Sequence, residues 1–373
     1  MKKIFFLIFS ICLMSFFSFP AYCVDTAEEI RSDISDRFFG SLDSEVNDIL
    51  EENGLDTLDS ERIFSSGAEN IAKFFSDSLK DKLKGAAGWF FLLLCVLMIL
   101  SVVSSAFDFS SSGDGFSLLC TIIICIVTVE KISYFVNCTV SAVMLNGKLM
   151  LSFIPVFTLL ISLSGNPSGA LTYSSFLLFF CELMSAFISK LFISLVGMYF
   201  ALSLSFSFSA NVNLNRFVNS VNRAVNLILG FSASMFTGFL SLKNILAYST
   251  DSLSVKGVKF LLGSLVPVIG SSLSEAYSTV LASINLMKGS LGVLGIFAVI
   301  LINIPALTEG VIYYVMMAML SCFAEILGLY RASETLRCLS SCVKILLLIC
   351  LFQVFILIIS TGIMLSLKGG ING

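Results

Sequence analysis

The sequence predicts an all-α fold: a polytopic helical membrane protein with an N-terminal signal sequence and a small acidic helical ectodomain. Of its 373 residues, 57% are hydrophobic and 13% are charged, which leaves too little polar surface to coat a soluble globule of this size. Apolar runs long enough to cross a bilayer as helices recur along the chain and predict about seven to nine spans. The one clear alternation of apolar and polar residues, ALSLSFSFSA at 201–210, is too isolated to indicate a β-barrel.

The predicted spans carry several ionisable side chains. Because a charge at the bilayer centre costs about 2.5 to 3.5 kcal/mol, we expect Lys131, Lys190 and Lys344 to extend to an interface. Glu309 follows Pro305 between two apolar runs and is expected to mark a turn at the membrane edge. The apolar runs that predict the spans are 86–107, 117–136, 149–164, 171–188, 190–208, 225–247, 291–308, 311–329 and 343–366, and the segment 259–288 is ambiguous.

The N-terminal part of the chain differs from the rest. Residues 1–23 combine two lysines and an apolar run with the small residues Ala21 and Cys23, which is typical of a secretory signal that is either cleaved or kept as a simple anchor. Residues 24–84 hold 16 of the 25 acidic residues and 7 of the 22 basic ones, so this segment is strongly acidic. The signal predicts that it lies outside the cytoplasm. Residues 85–373 form the polytopic transmembrane domain.

The acidic segment is predicted to contain two amphipathic helices. The first ends at Gly54 and the second begins at Ser66. Every fourth residue of the first helix is apolar: Ile30, Ile34, Phe38, Leu42, Val46 and Leu50. This stripe pairs with the second helix, lies on the membrane surface or docks on another protein, and the sequence leaves the three possibilities open. Against the positive-inside rule, three lysines precede the first span on its outer side: Lys80, Lys82 and Lys84.

The composition gives no support for catalysis, metal binding or nucleic-acid binding. The chain has no histidine, so the commonest general base and the commonest zinc ligand are both absent. Its 11 cysteines lie almost wholly in apolar runs, where cysteine is typically a small buried hydrophobe. We therefore predict no catalytic residue, no metal site and no cofactor.

A proline interrupts the apolar stretch GSLVPVIGSSLSEAY at 263–277. Proline removes a backbone donor, and within lipid such a break persists only where the backbone is buried in protein or faces water. We therefore hypothesise a kinked or re-entrant element near a translocation path. Pro155, in Ile154-Pro155-Val156, parallels this phrase and suggests a degenerate repeat, although coincidence and a simple structural kink remain alternatives. The predicted broken-helix element has Gly263, Pro267 and Gly270 at its centre and Glu275 and Lys288 as its polar flanks, and it also includes Phe260, Gly292, Gly295 and the parallel Pro155.

A separate feature predicts close helix packing. Gly230, Ser234 and Gly238 recur every fourth residue and leave one helix face flat enough for a neighbouring backbone to approach.

The stretch FLLGSLVPVIGSSLSEAYSTVLASINLMKGSLGVLGI at 260–296 resembles the signature region of the stage III sporulation protein AE family of endospore-forming bacteria. Weaker similarity extends through the remainder of 85–373, and the order of signal, ectodomain and polytopic domain also fits. The resemblance rests on Phe260, Gly263, Pro267, Val268, Gly270, Ala276, Thr279, Val280, Lys288, Gly292, Leu294 and Gly295, with Glu275 at an acidic position.

The resemblance implies a non-enzymatic integral membrane subunit, located in the mother-cell membrane that engulfs the forespore. It also implies partners: other membrane proteins of the same sporulation operon, a forespore membrane partner and a companion ATPase. Together these would form a channel, or secretion-like, complex required for endospore formation. The chain has no GxxxxGK[ST] phosphate loop of its own, which agrees with energy coupling by the companion.

An autonomous secondary transporter is the alternative. It would use broken helices around Pro155 and Pro267, with Glu275 and Lys288 at a substrate or ion site. A transporter should move a solute alone in liposomes, whereas a channel-complex subunit should be inert without its partners.

Overall fold

The computed structural model describes 31–58, 60–106, 113–164 and 270–366, together with the helical run 218–234 and further helical positions between 167 and 238. All regular secondary structure in these ranges is α-helical, which confirms the predicted class. The predicted signal at 1–23 lies outside the described residues, as do Phe260, Gly263 and Pro267.

Six helices organise 31–58, 60–106, 113–164 and 270–366. They are α1 (31–41), α2 (Ser44–Glu52), α3 (Ser60–Ala106), α4 (Gly113–Leu163), α5 (Gly270–Ile326) and α6 (Tyr330–Ser366). By length and composition, α3 to α6 can each cross a membrane. They contain 47, 51, 57 and 37 residues. At 1.5 Å per residue they extend about 55 to 85 Å, whereas the hydrocarbon core is about 30 Å thick.

Two of these helices each include two predicted spans. Helix α4 includes 117–136 and all but the last residue of 149–164, and α5 includes 291–308 and most of 311–329. Each helix also contains a proline, Pro155 or Pro305, without ending there. A single proline removes only one hydrogen bond of the helical ladder, so a packed helix can continue through it. The turn predicted at Glu309 is therefore wrong, whereas the role of Pro155 in a broken-helix element stays a prediction.

The acidic segment also differs from its prediction. The first predicted helix is divided into α1 and α2, because Asp43 adopts an extended conformation (φ −62°, ψ 142°) and accepts a hydrogen bond from the Glu45 N–H as the N-cap of α2. The second predicted helix begins at Ser60, six positions before Ser66. The predicted stop at Gly54 is confirmed: its φ of +69° is easily adopted only by glycine.

Helices α5 and α6 form an antiparallel hairpin. Gly328 closes α5 with a φ of +77°, and the N–H groups of Gly328 and Leu329 donate to the carbonyls of Glu325 and Ala324. These two bonds satisfy carbonyls that the end of a helix leaves unpaired. Ser101 Oγ donates to the Leu327 carbonyl at 3.2 Å, which ties the end of α3 to the same turn.

Two apolar cores lie along the bundle. The turn core, beside the α5–α6 turn, includes Leu93, Leu97, Met317, Leu320 and Leu339. The N-terminal core contains the side chains of α1 and α2 packed with those of α4, α5 and α6, and it includes Phe38, Leu50, Phe153, Leu294 and Leu357.

The N-terminal core answers the question that the apolar stripe left open. Ile34, Phe38, Val46 and Leu50 are buried against helices of the same chain. The Phe38 and Phe153 rings meet edge to face with centroids 6.4 Å apart. Polar contacts reinforce this packing: Ser152 Oγ donates to the Ser41 carbonyl at 2.6 Å, and Lys148 Nζ lies 2.9 Å from Asp43 Oδ2.

Candidate functional site: a buried ion pair between α3 and α5

Lys82 lies on the buried face of α3. The same face continues along the helix through Ala86, Trp89, Leu93 and Leu97, all of which are buried. Steps of four and three residues keep these side chains on one side of a helix. Lys82 was predicted only as one of three lysines that flank the first span, although this spacing could have placed it on the buried face.

Glu309 occupies the corresponding position on α5. The buried residues Ile302, Ala306, Tyr313 and Met317 follow the same spacing before and after it. A carboxylate within an apolar seam is costly unless it is paired and hydrogen-bonded. The periodicity of α5 therefore points to a partner on a neighbouring helix.

The partner of Glu309 is Lys82. Lys82 Nζ donates to Glu309 Oε2 at 3.1 Å. The Glu309 side chain is 3% exposed and that of Lys82 is 27% exposed, so the carboxylate is desolvated while the ammonium retains some access to solvent. Burial weakens screening by water, and the attraction is correspondingly stronger than at a protein surface.

Neighbouring groups support both charges. Lys82 Nζ lies 3.4 Å from the Tyr134 hydroxyl and 5.1 Å from the centre of its ring, so α4 also holds the ammonium. One turn earlier on α3, Ser78 Oγ lies 3.3 Å from Thr308 Oγ1. The pair is therefore part of a polar layer that joins three helices.

An open cavity of about 210 Å³ adjoins the pair. Its lining combines charged, aromatic and small side chains: Asp81, Lys82, Gly85, Ala86, Lys131, Tyr134, Glu309, Ile312 and Tyr313. Lys131 pairs with Glu130 at 3.3 Å. Tyr313, which lines the cavity, packs edge to face against Trp89 with ring centroids 5.8 Å apart. Along α5, Glu309 lies about 26 Å from Ile326, close to the thickness of a hydrocarbon core.

The residues of the predicted broken-helix element lie elsewhere. Gly270 opens α5 and Glu275 follows within the same helix, which continues without a break to Ile326. Lys288 is buried further along it. The translocation role of this element stays a prediction.

Two glycines of that prediction permit close helix contacts. Gly292 packs against the Leu365 side chain of α6. A Cβ at Gly295 would lie 2.5 Å from Cε2 of Phe153 on α4. At both positions the absence of a side chain lets a neighbouring helix approach α5.

The small-residue face at 230–238 is placed differently. Gly230, Ser234 and Gly238 are exposed, and a Cβ added at either glycine would meet no atom within 4 Å. Helix packing on this face stays a prediction.

The polar layer offers fixed charges rather than a metal site. Within the described ranges, no group of three or more histidine, cysteine, aspartate or glutamate side chains could hold a metal ion. What the arrangement provides is a desolvated charge pair that fixes α3 against α5 and lines a cavity.

Comparison with known proteins agrees with the resemblance noted in the sequence. The family described as Stage III sporulation protein AE matches residues 46–367, a range that contains all four membrane-length helices. The Stage III sporulation protein AE of Bacillus subtilis (strain 168) is 22% identical over 284 residues, which cover 74% of this chain and 71% of that protein. No solved structure matches the chain. Because the family match extends over most of its length, the chain belongs to the stage III sporulation protein AE family.

Proposed function

We propose that this chain is a non-enzymatic integral membrane subunit of a channel complex that joins the mother cell to the forespore. The observation that carries the proposal is the family match, which covers α3 to α6 together with the polar layer between them. A subunit of a multiprotein assembly needs a rigid membrane frame, and the buried Lys82–Glu309 pair with its two flanking cores supplies one.

The proposed partners are other membrane proteins of the same sporulation operon, a forespore membrane protein and a companion ATPase. The test is affinity purification of the tagged chain from sporulating cells in mild detergent, followed by mass spectrometry. An unrelated polytopic protein with the same tag is the matched control. We expect the partners to co-purify with the tagged chain and not with the control protein. A solitary oligomer that moves a solute in liposomes would instead support an autonomous transporter.

The proposal also includes an orientation in the mother-cell membrane, with residues 24–84 outside the cytoplasm. Gly40, in α1, is exposed and has free space around it. Ser105 is exposed at the opposite end of the membrane-length part of α3. In a background without native cysteines, Gly40→Cys should react with a membrane-impermeant maleimide in intact protoplasts, and Ser105→Cys only after permeabilisation. The reverse order would contradict the orientation.

A further inference from the structure

The bundle interior contains buried carboxamide atoms that have no hydrogen-bond partner among the described residues. Asn146 on α4 is 1% exposed, and neither its Nδ2 nor its Oδ1 has a hydrogen-bond partner in the part of the chain that the structure describes. Gln353 on α6 is 6% exposed, and its Oε1 is likewise unpaired there. Buried polar groups in folded proteins nearly always have a protein or water partner.

The register between the helices places these residues at the same height along the axis of the bundle. Gly310 of α5 packs against Phe135 of α4 and Leu347 of α6. Gly295 packs against Phe153, and Gly292 packs against Leu365. Counting along the antiparallel helices from these contacts places both unpaired carboxamides within about one turn of Asn303 on α5.

Asn303 is itself polar and fully buried. Its Nδ2 donates to the Val299 carbonyl at 2.7 Å, while its Oδ1 lies 3.9 Å from Cys350 Sγ. Three carboxamides from three helices therefore share one level between the two apolar cores.

Two thiols connect this level to the cavity beside the ion pair. Counting along the same antiparallel helices places Cys138 of α4 and Cys350 of α6 within about one turn of Glu309 on α5. Polar atoms thus continue from the open cavity through Glu309, Cys138 and Cys350 to Asn303.

We infer that the cavity beside Lys82 and Glu309 continues into the bundle as a track of bound water that ends among Asn146, Asn303 and Gln353. Water suits these groups because it both donates and accepts hydrogen bonds. A cation would satisfy the unpaired oxygens of Asn146 and Gln353 but not the Asn146 Nδ2 donor. The inference does not depend on the proposed role in a channel complex.

Native cysteines on α6 provide a matched test. Cys350 lies at the inferred end of the track, whereas Cys342 is equally buried two turns away in the turn core. The purified, unmodified protein is treated with 2-aminoethyl methanethiosulfonate, a small hydrophilic reagent, and labelling of each cysteine is followed by peptide mass spectrometry. Cys350 should react at least about tenfold faster than Cys342, because the reagent attacks a thiolate that water can reach. Equal labelling rates at Cys350 and Cys342, whether slow or fast, would overturn the inference of a water track.

Two variants test the carboxamides themselves. Asn146→Leu and Gln353→Leu replace the unpaired groups with apolar side chains of similar size. Each should slow the labelling of Cys350 and leave that of Cys342 unchanged. If both variants label at the wild-type rate, these carboxamides do not hold the water and the inference fails.

Discussion

Lys82 and Glu309 join α3 to α5 between the two apolar cores, whereas Arg337 and Glu325 join α6 to α5 beside their connecting turn. Both pairs have an N–O distance of 3.1 Å. Glu309 is 3% exposed, but Arg337 and Glu325 are 48% and 50% exposed. The same N–O distance therefore has different energetic consequences in the two pairs. Burial determines whether water can solvate the charge that remains when one partner is removed.

The difference follows from solvation. When one member of a buried pair is removed, the other remains as an uncompensated charge in a medium that solvates it poorly. When one member of an exposed pair is removed, water replaces the lost partner at little cost. Lys82 and Glu309, the inner pair, should not tolerate single substitutions. Arg337 and Glu325, the outer pair, should tolerate them.

The largest expected effect is that of Lys82→Met. The substitution keeps much of the apolar stem and leaves Glu309 buried without its cation, so the free energy of unfolding should fall by about 3 kcal/mol. Denaturant titration of the purified protein in detergent measures the change. Arg337→Met is the matched control at the outer pair, and an equal loss there would break the comparison.

A smaller effect is expected at Gly310, the neighbour of Glu309. An added Cβ would lie 2.7 Å from the Phe135 ring and 2.8 Å from a Leu347 methyl group, so Gly310→Ala forces these two buried contacts to rearrange. We expect a loss of about 1 to 3 kcal/mol in the same titration.

The control for this prediction is Gly289, also on α5, where a Cβ would meet nothing within 4 Å. Gly289→Ala should be neutral or stabilising by up to about 1 kcal/mol, because alanine favours a helix more than glycine does. If Gly310→Ala and Gly289→Ala lower the free energy of unfolding equally, tight packing beside Glu309 is not the cause of the loss.

The outer pair should show a weaker effect still. Glu325→Gln removes the charge opposite Arg337 and should change the free energy of unfolding by about 0 to 1 kcal/mol. Any loss should vanish when the titration is repeated near 1 M salt, where the screening length is about 3 Å. A loss that persists in high salt would mean that the outer pair acts like a buried one.

The smallest effect concerns the contact between the N-terminal segment and α4. The hydrogen bond from Lys148 holds the pKa of Asp43 below its usual value of 3.8. A lowered folded-state pKa means that the contact stabilises the protein above that value and is lost as the pH falls through the folded pKa.

Asp43→Asn tests this dependence while keeping a good N-cap residue on α2. At neutral pH the variant should unfold slightly more easily than the wild type, and the two melting temperatures should converge as the pH falls through the lowered folded-state pKa of Asp43. A constant difference at every pH would show that the Asp43 charge is not responsible.

The sequence anticipated features that depend on local chemistry. Gly54 ends its helix as expected because a left-handed conformation after a helix favours glycine. The apolar stripe at Ile34, Phe38, Val46 and Leu50 is buried as its period requires. These predictions needed only neighbouring residues.

Features that depend on contacts between helices were missed. Glu309 was predicted to mark a turn because hydropathy shows a charge between two apolar runs but not the Lys82 ammonium that pairs with it. The same limitation divided α4 and α5 into separate predicted spans. Periodicity could have placed Lys82 and Glu309 on buried faces, but only the packed structure pairs them.

The most direct test of the buried pair is a double-mutant cycle with Lys82→Met, Glu309→Met and the combined variant. The unfolding free energy of each protein is measured in one detergent, beside the equivalent cycle at Arg337 and Glu325. A buried pair predicts that the combined variant recovers most of the stability lost by either single change, with a coupling of about 2 to 3 kcal/mol against less than about 0.5 at the outer pair. Additive losses at Lys82 and Glu309 would contradict the account.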